Sequence, residues 1–245
     1  MADVKKVAFV TGGNRGIGLQ TARELGQSGF EVIIGARDPG KGEAALAELR
    51  AAGVKAEVVL YDARRPETDA SVKKYLEDRY GRLDVLVNNA GLIREELLAK
   101  NASTVPEDIL RETFETNLFA VVRLTQTLLP LLKKAPAGRI VNVSSILGSL
   151  GLHSAEGSPI SAAKAFAYNA SKSALNAFTV HLADELKDTH VKVNSAHPGW
   201  VKTELGGPHA PMDVADSART SVRLATLAAD GPNGGFFHEN DRLPW

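Results

Sequence analysis

The sequence has no cysteine among its 245 residues. Disulfides, thiolate nucleophiles and zinc sites built on thiolates are therefore excluded, and the redox compartment is left open. An excess of charge is also missing, because 29 lysines and arginines balance 29 aspartates and glutamates. No overall field attracts nucleic acid or an acidic membrane. The six histidines lack metal-ligand spacing, so we predict no metal site.

Long apolar runs are absent as well. None approaches the roughly 20 residues that a membrane-spanning helix needs. The first residues, Met1 to Lys6, lead directly into an apolar segment without the pattern of a leader peptide. We therefore expect a cytoplasmic protein. Hydrophobic residues nevertheless make up 44% of the chain, which is enough for a large core.

Short apolar segments alternate with helical patterns along the chain. The segments predicted as strands are 7–10, 31–35, 57–61, 83–87, 139–143 and 191–195, and long helical regions are predicted at about 106–132 and 163–186. Right-handed crossovers carry each helix over a face of the sheet. The pattern predicts an α/β fold of Rossmann type, a doubly wound parallel sheet with helices on both faces. No linker or repeat divides the chain, so we predict a single domain over residues 1–245.

A glycine-rich turn, Thr11 to Gly18, follows the first predicted strand and opens a helix. Its glycines at 12, 16 and 18 follow the order T-G-x-x-x-G-x-G. Glycine lets the backbone approach a pyrophosphate closely, and a helix start offers free N–H groups and a positive dipole end. The turn favours a dinucleotide site, although such a turn can also serve packing alone.

Several chemically distinctive residues share one predicted location. In open α/β sheets, ligands bind beyond the carboxyl ends of the strands. The residues that follow a predicted strand are Gly12, Arg37, Asp62, Asn88, Ser145 and Pro198. We expect them to lie along one edge of the sheet.

Tyr168 and Lys172 lie four residues apart in a predicted helix and share one of its faces. A tyrosine titrates at about 10, which is too high for easy proton exchange at neutral pH. The neighbouring ammonium is expected to lower the pKa of Tyr168. The phenol could then exchange a proton with a carbonyl or alcohol oxygen, which a serine hydroxyl could hold. Taken alone, the pair could equally be a half-buried tyrosine and a solvated lysine.

These motifs together resemble the short-chain dehydrogenase/reductase family, over Val7 to about Thr203. They occur in the family's order, as the 11–18 turn, Asn88-Asn89-Ala90-Gly91, Asn117, Ser144-Ser145, Tyr168 with Lys172, and Pro198-Gly199. The resemblance implies an oxidoreductase with the catalytic residues Asn117, Ser145, Tyr168 and Lys172. It also implies that Asn117 interrupts its helix and holds a water linked to the lysine. An asparagine can, however, simply bend or cap a helix.

The end of the second strand bears on the cofactor that the resemblance implies. An acidic residue there would bind the adenosine ribose and repel a 2′-phosphate, but this chain has Ala36 followed by Arg37. Arg37 and Arg15 could bracket a phosphate, or either could be a surface charge. We predict NADP(H). The expected cofactor-binding residues are Gly12, Asn14, Arg15, Gly16, Ile17, Gly18, Arg37, Asp62, Ala63, Asn89, Ala90, Gly91, Tyr168, Lys172, Pro198, Gly199, Val201 and Thr203.

The substrate end departs from the family's common pattern. The segment between Ser145 and Tyr168 is longer than the usual dozen or so residues. This insertion and the segment Pro198 to Thr203 resemble the carbonyl reductase branch, some of whose members are monomers. The resemblance implies NADPH-dependent reduction of an aldehyde, ketone or quinone, with Tyr168 as proton donor. Substrate loops are expected near 146–165 and 199–215, with Ile93, His153, Trp200 and Met212 lining the pocket.

Two alternatives stay open. The chain could be an NAD-linked alcohol or hydroxysteroid dehydrogenase, although the pair Ala36-Arg37 argues against that cofactor. It could also be a dinucleotide-binding sensor without turnover, although Tyr168 and Lys172 are both present. The expected partner is a small carbonyl substrate, with neither nucleic acid nor membrane. Monomer and homo-oligomer are undecided, because the closing aromatic residues could cover the chain's own pocket or meet another subunit.

Overall fold

A computed structural model describes residues 5–245. Residues 1–4, at which we expected the chain to lead straight into the first strand, lie outside the described residues. The fold is built on an eight-stranded sheet in the order β3-β2-β1-β4-β5-β6-β7-β8. The strands are β1 Val7–Thr11, β2 Glu31–Ala36, β3 Ala56–Leu60, β4 Val85–Asn88, β5 Arg139–Val143, β6 Lys192–Ala196, β7 Phe236–His238 and β8 Asp241–Arg242. Strands β1 to β7 are parallel and β8 is antiparallel.

Helices cover both faces of the sheet, which confirms the predicted fold class. They are α1 Gly16–Gln27, α2 Pro39–Ala51, α3 Glu67–Tyr80, α4 Glu107–Phe114, α5 Ala120–Lys134, α6 Leu150–Ser154, α7 Phe166–Glu185 and α8 Arg219–Ala225. Among the helices in residues 5–245, none is long and apolar enough to cross a membrane.

The two faces of the sheet have separate cores, because successive side chains of a strand point to opposite faces. In β1, Val10 joins a cluster with Leu25 and Leu49 of α1 and α2. The neighbouring Phe9 joins another cluster that includes Leu124 and Leu182 of α5 and α7. A strand covered on both faces needs no polar side, which explains why β1 reads as a continuous apolar run.

The long helix predicted at 106–132 is divided. A π-helical turn, Glu115–Phe119, separates α4 from α5, and it contains Asn117. Helix α8 ends at Ala225, two residues before Leu227. The buried Arg139 guanidinium donates to the carbonyl oxygens of Leu227 and Ala228, so these carbonyls are satisfied outside a helix. Strand β8 was not predicted, because two exposed residues carry no apolar pattern.

The closing aromatic residues pack on their own chain. Trp245 stacks on Phe236 with ring centroids 5.8 Å apart. The Trp245 carbonyl oxygen accepts hydrogen bonds from the Gly151 backbone N–H at 2.8 Å and from the Ser149 hydroxyl at 3.2 Å. The carboxyl-terminal segment after β8 therefore holds the insertion that follows Ser145.

Candidate active site

The glycine turn has the backbone geometry that the sequence motif requires. Gly12 and Gly16 have φ angles of +62° and +52°, in the left-handed region that favours glycine. A Cβ at Gly18 would lie 2.4 Å from the Gly12 carbonyl oxygen, so a side chain cannot be accommodated there. Helix α1 begins directly at Gly16, so its free N–H groups face the turn. This backbone leaves room for a phosphate group.

A cleft of about 500 Å³ opens at the carboxyl ends of the strands. Most of the predicted cofactor residues line it, namely Gly12, Asn14, Arg15, Gly16, Ile17, Gly18, Arg37, Asp62, Ala63, Asn89, Ala90, Gly91 and Thr203. The other five, Tyr168, Lys172, Pro198, Gly199 and Val201, are not among the residues that line it. The volume, the glycine backbone and the basic side chains fit a dinucleotide.

The cleft also contains residues that the sequence reasoning missed. They are Gly35, Asp38, Lys41, Tyr61, Arg64, Leu92, Glu112, Thr116, Lys202, Glu204, Leu205 and Val214. A local signal exists only for the first helical turn after β2. There Asp38 caps α2 by accepting from the Lys41 backbone N–H at 3.1 Å, and Pro39 follows it. Lys41 and Arg37 both line the cleft. Glu204 could not be found in this way, because only the fold brings its loop to the cleft.

Arg15 has a partner at the mouth of the cleft. Its guanidinium pairs with the carboxylate of Glu204, and both side chains are largely exposed. Exposed pairs of this kind contribute about 0–1 kcal/mol. A phosphate that engages Arg15 would therefore displace Glu204 at little cost.

The part of the cleft formed by Asp62 and Ala63 is anchored by Arg123 of α5. Its guanidinium donates to the Ala63 carbonyl oxygen at 2.7 Å and to the Asp69 carboxylate at 2.7 Å. Asp69 is buried, and this burial raises its pKa. The pair fixes the loop after β3 that contains Asp62 and Ala63.

Asn117 bridges two segments from the π-helical turn. Its side-chain amide accepts from the Leu92 N–H at 2.9 Å and donates to the Leu92 carbonyl at 2.9 Å. The amide nitrogen also donates to the Ser171 hydroxyl at 3.0 Å, next to Lys172. A Cβ added at Gly91 would lie 3.3 Å from the Asn117 amide oxygen and 3.6 Å from the Lys172 ammonium. Asn117, at the predicted interruption of the helix, therefore lies close to Lys172.

Ser145, Tyr168 and Lys172 come together beyond β5. Tyr168 and Lys172 are only 7% and 5% exposed, and the Lys172 ammonium donates to the Val143 carbonyl at 2.9 Å. Burial raises the pKa of Tyr168 to about 12, while hydrogen bonding with the Ser145 side chain acts in the opposite direction. Burial also lowers the pKa of Lys172 to about 8.

The expectation that the lysine lowers the tyrosine pKa is therefore wrong for the protein alone. The ammonium lies over the Tyr168 ring, 5.7 Å from its centroid. Desolvation of the phenolate outweighs the attraction of this charge. At neutral pH the phenol retains its proton.

The four residues suggested for the substrate pocket are not gathered in the cleft. His153 instead ties the insertion together, with ring-nitrogen contacts to the Leu147 carbonyl and the Lys164 ammonium, each at 3.0 Å. Burial lowers its pKa and so favours the neutral ring. Trp200 is 49% exposed and donates from its indole to the Gly206 carbonyl. Met212 pairs through its backbone with the Trp200 segment, and Ile93 lies in the loop after β4.

His197 is a neighbour of the site that the sequence analysis did not identify. It is buried after β6, and its ring nitrogen Nδ1 accepts from the backbone N–H of Ile146, the residue after Ser145. Burial lowers its pKa to about 3, so the ring stays neutral and keeps this acceptor. Within residues 5–245, no group of three histidine, aspartate or glutamate side chains could hold a metal ion.

The lowered Lys172 pKa gives a measurable pH dependence. An unfolded lysine titrates at 10.5, so between about pH 8 and 10.5 the unfolded chain binds the extra proton. Raising the pH through this window should increase the free energy of unfolding of the parent relative to a Lys172→Met variant. Urea denaturation at about pH 7.5 and 9.5 measures this difference. The exposed Lys133→Met variant is the control, and an equal pH response in both variants would contradict the prediction.

Fold and site together are typical of α/β oxidoreductases that bind a nucleotide. A short chain dehydrogenase family model matches residues 6–213. The chain belongs to this family.

Individual relatives agree with this assignment. The chain is 34% identical to human "Carbonyl reductase [NADPH] 1", with 98% of each protein covered. It is 35% identical to "Short-chain dehydrogenase anuI" of Penicillium roqueforti, with 92% of this chain and 90% of that protein covered. Among solved structures, NADPH-bound carbonyl reductase from chicken fatty liver superposes with a TM-score of 0.85 at 26% identity, covering 98% of this chain and 99% of that one. The sequence-based resemblance to the carbonyl reductase branch is confirmed.

Proposed function

We propose that the protein uses NADPH to reduce a small carbonyl compound, an aldehyde, ketone or quinone, to an alcohol. The observation that carries the proposal is the buried group of Ser145, Tyr168 and Lys172 beside a cleft that fits a dinucleotide. The proposal includes a single catalytic domain over residues 1–245, acting in the cytoplasm on a small molecule without nucleic acid or membrane.

The phosphate end of the cleft supports NADPH over NADH. Ala36 ends β2 without a carboxylate, and Arg37 and Lys41 line the cleft directly after it. Arg15 adds a third cation that its exposed partner Glu204 can release. Asp38 also lines the cleft, but one of its carboxylate oxygens accepts the Lys41 N–H and so caps α2. Guanidinium and ammonium groups recognise a phosphate by charge-assisted hydrogen bonds. The names of the human and chicken relatives, which specify NADPH, agree with this choice.

The mechanism assigns a distinct task to each residue. When bound, the nicotinamide cofactor supplies the hydride that the carbonyl carbon receives. The Ser145 hydroxyl holds the carbonyl oxygen as negative charge develops on it. Tyr168 donates its phenolic proton to that oxygen, and its raised pKa ensures that the proton is present at neutral pH.

Lys172 and Asn117 support this proton transfer. The Lys172 ammonium over the Tyr168 ring stabilises the phenolate left after the transfer. Asn117 holds Leu92 on one side and Ser171 on the other, and so keeps the lysine against the loop after β4. We propose that it also supports the path by which the phenol is reprotonated from solvent.

Cofactor titration followed by turnover tests the proposal. Purified protein is titrated with NADPH and separately with NADH while the fluorescence of the reduced cofactor is followed. It is then mixed with the preferred cofactor and a panel of aldehydes, ketones and quinones. We expect tighter binding of NADPH and its oxidation by at least one class of carbonyl compound. A preference for NADH would favour the alcohol dehydrogenase alternative, and binding without turnover of any carbonyl or alcohol would favour the sensor.

A further inference from the structure

Helix α7 carries the phenol of Tyr168 in its first turn but lacks a cap of its own. The helix begins at Phe166 after Ala165, whose side chain cannot accept a hydrogen bond. The helical ladder starts only with the Asn169 N–H, which donates to the Ala165 carbonyl at 2.9 Å. The backbone N–H groups of Phe166, Ala167 and Tyr168 therefore need acceptors from elsewhere.

A distant loop supplies all three acceptors. The Phe166 N–H donates to the Asn101 side-chain oxygen at 3.2 Å. The Ala167 N–H donates to Glu95 Oε1 at 3.2 Å, and the Tyr168 N–H donates to Glu95 Oε2 at 2.9 Å. The Asn101 amide nitrogen in turn donates to Glu95 Oε1 at 2.7 Å. Both residues belong to the loop after β4, so the cap connects two sequence-distant segments.

The charge and the anchoring of Glu95 suit this cap. A carboxylate at a helix N-terminus is stabilised by the positive end of the helix dipole. Charge-assisted bonds to N–H groups are about twice as strong as neutral ones. The loop is also fixed three residues earlier, where Leu92 bonds through its N–H and carbonyl to Asn117. Glu95 thus connects the Asn117 anchor with the backbone of the tyrosine.

We propose that Glu95 is a positioning residue for the reaction, fixing the first turn of α7 so that the Tyr168 phenol meets the oxygen held by Ser145. The inference rests on the carbonyl reduction proposed above. Glu95 acts on the tyrosine backbone, so its loss should change the rate of proton transfer more than the binding of either ligand. A misplacement of about 1 Å can cost around 10²-fold in rate.

Glu95→Ala tests the role, with Glu95→Gln as the conservative variant. We expect Glu95→Ala to lower kcat by about 10- to 100-fold, with the NADPH dissociation constant and KM changed less than about threefold. Glu95→Gln keeps one acceptor oxygen and should recover part of the lost kcat. The neighbouring Glu96 is exposed, and Glu96→Ala is the matched control that should behave as the parent.

Hydrogen–deuterium exchange provides a readout that needs no turnover. Exchange of the backbone amides of residues 166–168 should be faster in Glu95→Ala than in the parent or in Glu96→Ala. If Glu95→Ala does not fold, Asn101→Ala removes the acceptor of the Phe166 N–H and one support of Glu95, and an intermediate loss of kcat is expected from it.

The outcomes separate this role from the function on which it rests. An unchanged kcat in both Glu95→Ala and Asn101→Ala, or unchanged amide exchange, overturns the positioning role while parent turnover upholds the function. If KM or the NADPH dissociation constant of Glu95→Ala rises by the same factor by which kcat falls, the positioning role is overturned in favour of a general structural role. A parent that reduces no carbonyl compound overturns the proposed function and the positioning role together.

Discussion

Tyr168→Phe is expected to lower kcat for carbonyl reduction by about 10²–10⁴-fold, the usual contribution of a general acid. Phenylalanine keeps the ring that packs under the Lys172 ammonium but has no proton to donate. The fold should be unaffected, because phenylalanine fills the same buried space as tyrosine. Steady-state rates with the best carbonyl substrate of the parent measure the effect.

Binding separates a loss of chemistry from a loss of structure. The NADPH dissociation constant of Tyr168→Phe should stay within about tenfold of the parent value, since one uncharged hydrogen bond contributes about 0.5–1.5 kcal/mol. Tyr80→Phe is the matched control, because its hydroxyl bonds to Glu31 and lies outside the cleft. If Tyr168→Phe retained the kcat of the parent, the phenol would not be the proton donor and the proposed mechanism would be wrong.

Arg37→Asp is expected to weaken NADPH binding by about 10- to 100-fold, because each hydrogen bond to a charged group contributes about 1.5–3 kcal/mol. The new carboxylate would repel the 2′-phosphate, and it could accept a hydrogen bond from the ribose hydroxyl of NADH. The ratio of the two dissociation constants, taken from cofactor fluorescence, should therefore move towards NADH.

A charge-matched variant controls for the change in net charge. Arg50→Asp makes the same substitution at an exposed site in the last turn of α2, away from the cleft. Its cofactor preference should equal that of the parent. An unchanged preference in Arg37→Asp would assign phosphate recognition to Lys41 and Arg15 alone, which Lys41→Ala and Arg15→Ala would then resolve.

The parts of the fold that depend on local chemistry were predictable from the sequence. A strand covered on both faces is apolar throughout, so β1 and β2 could be located from runs such as Val7-Ala8-Phe9-Val10. The glycine turn was equally clear, because a left-handed φ at Gly12 and the absence of space at Gly18 leave few other residues possible. The alternation of strands and helices then predicted the sheet and the edge at which the cleft lies.

The parts that depend on contacts between distant segments were not predictable. Glu204 meets Arg15, and Glu95 meets the tyrosine backbone, only after the loops beyond β6 and β4 are folded over the sheet edge. The pKa of Tyr168 was predicted in the wrong direction for the same reason. Sequence spacing places a lysine beside it, but the degree of burial that dominates both groups arises from the whole fold.

One helical stretch holds two of the loops that line the cleft. Asn117 in the π-helical turn secures the Leu92 segment beside Lys172, and Arg123 in α5 secures the carbonyl of Ala63. Arg123 lies six positions after Asn117, which is roughly 9 Å along an α-helix axis. The π-helical turn and the start of α5 thus fix the spacing of the two loops that line the cleft. Deleting one residue between Asn117 and Arg123 would rotate one of these side chains by about 100° about the helix axis relative to the other. Insertions and deletions should therefore be tolerated in the loops at the rim of the cleft but not between these two residues.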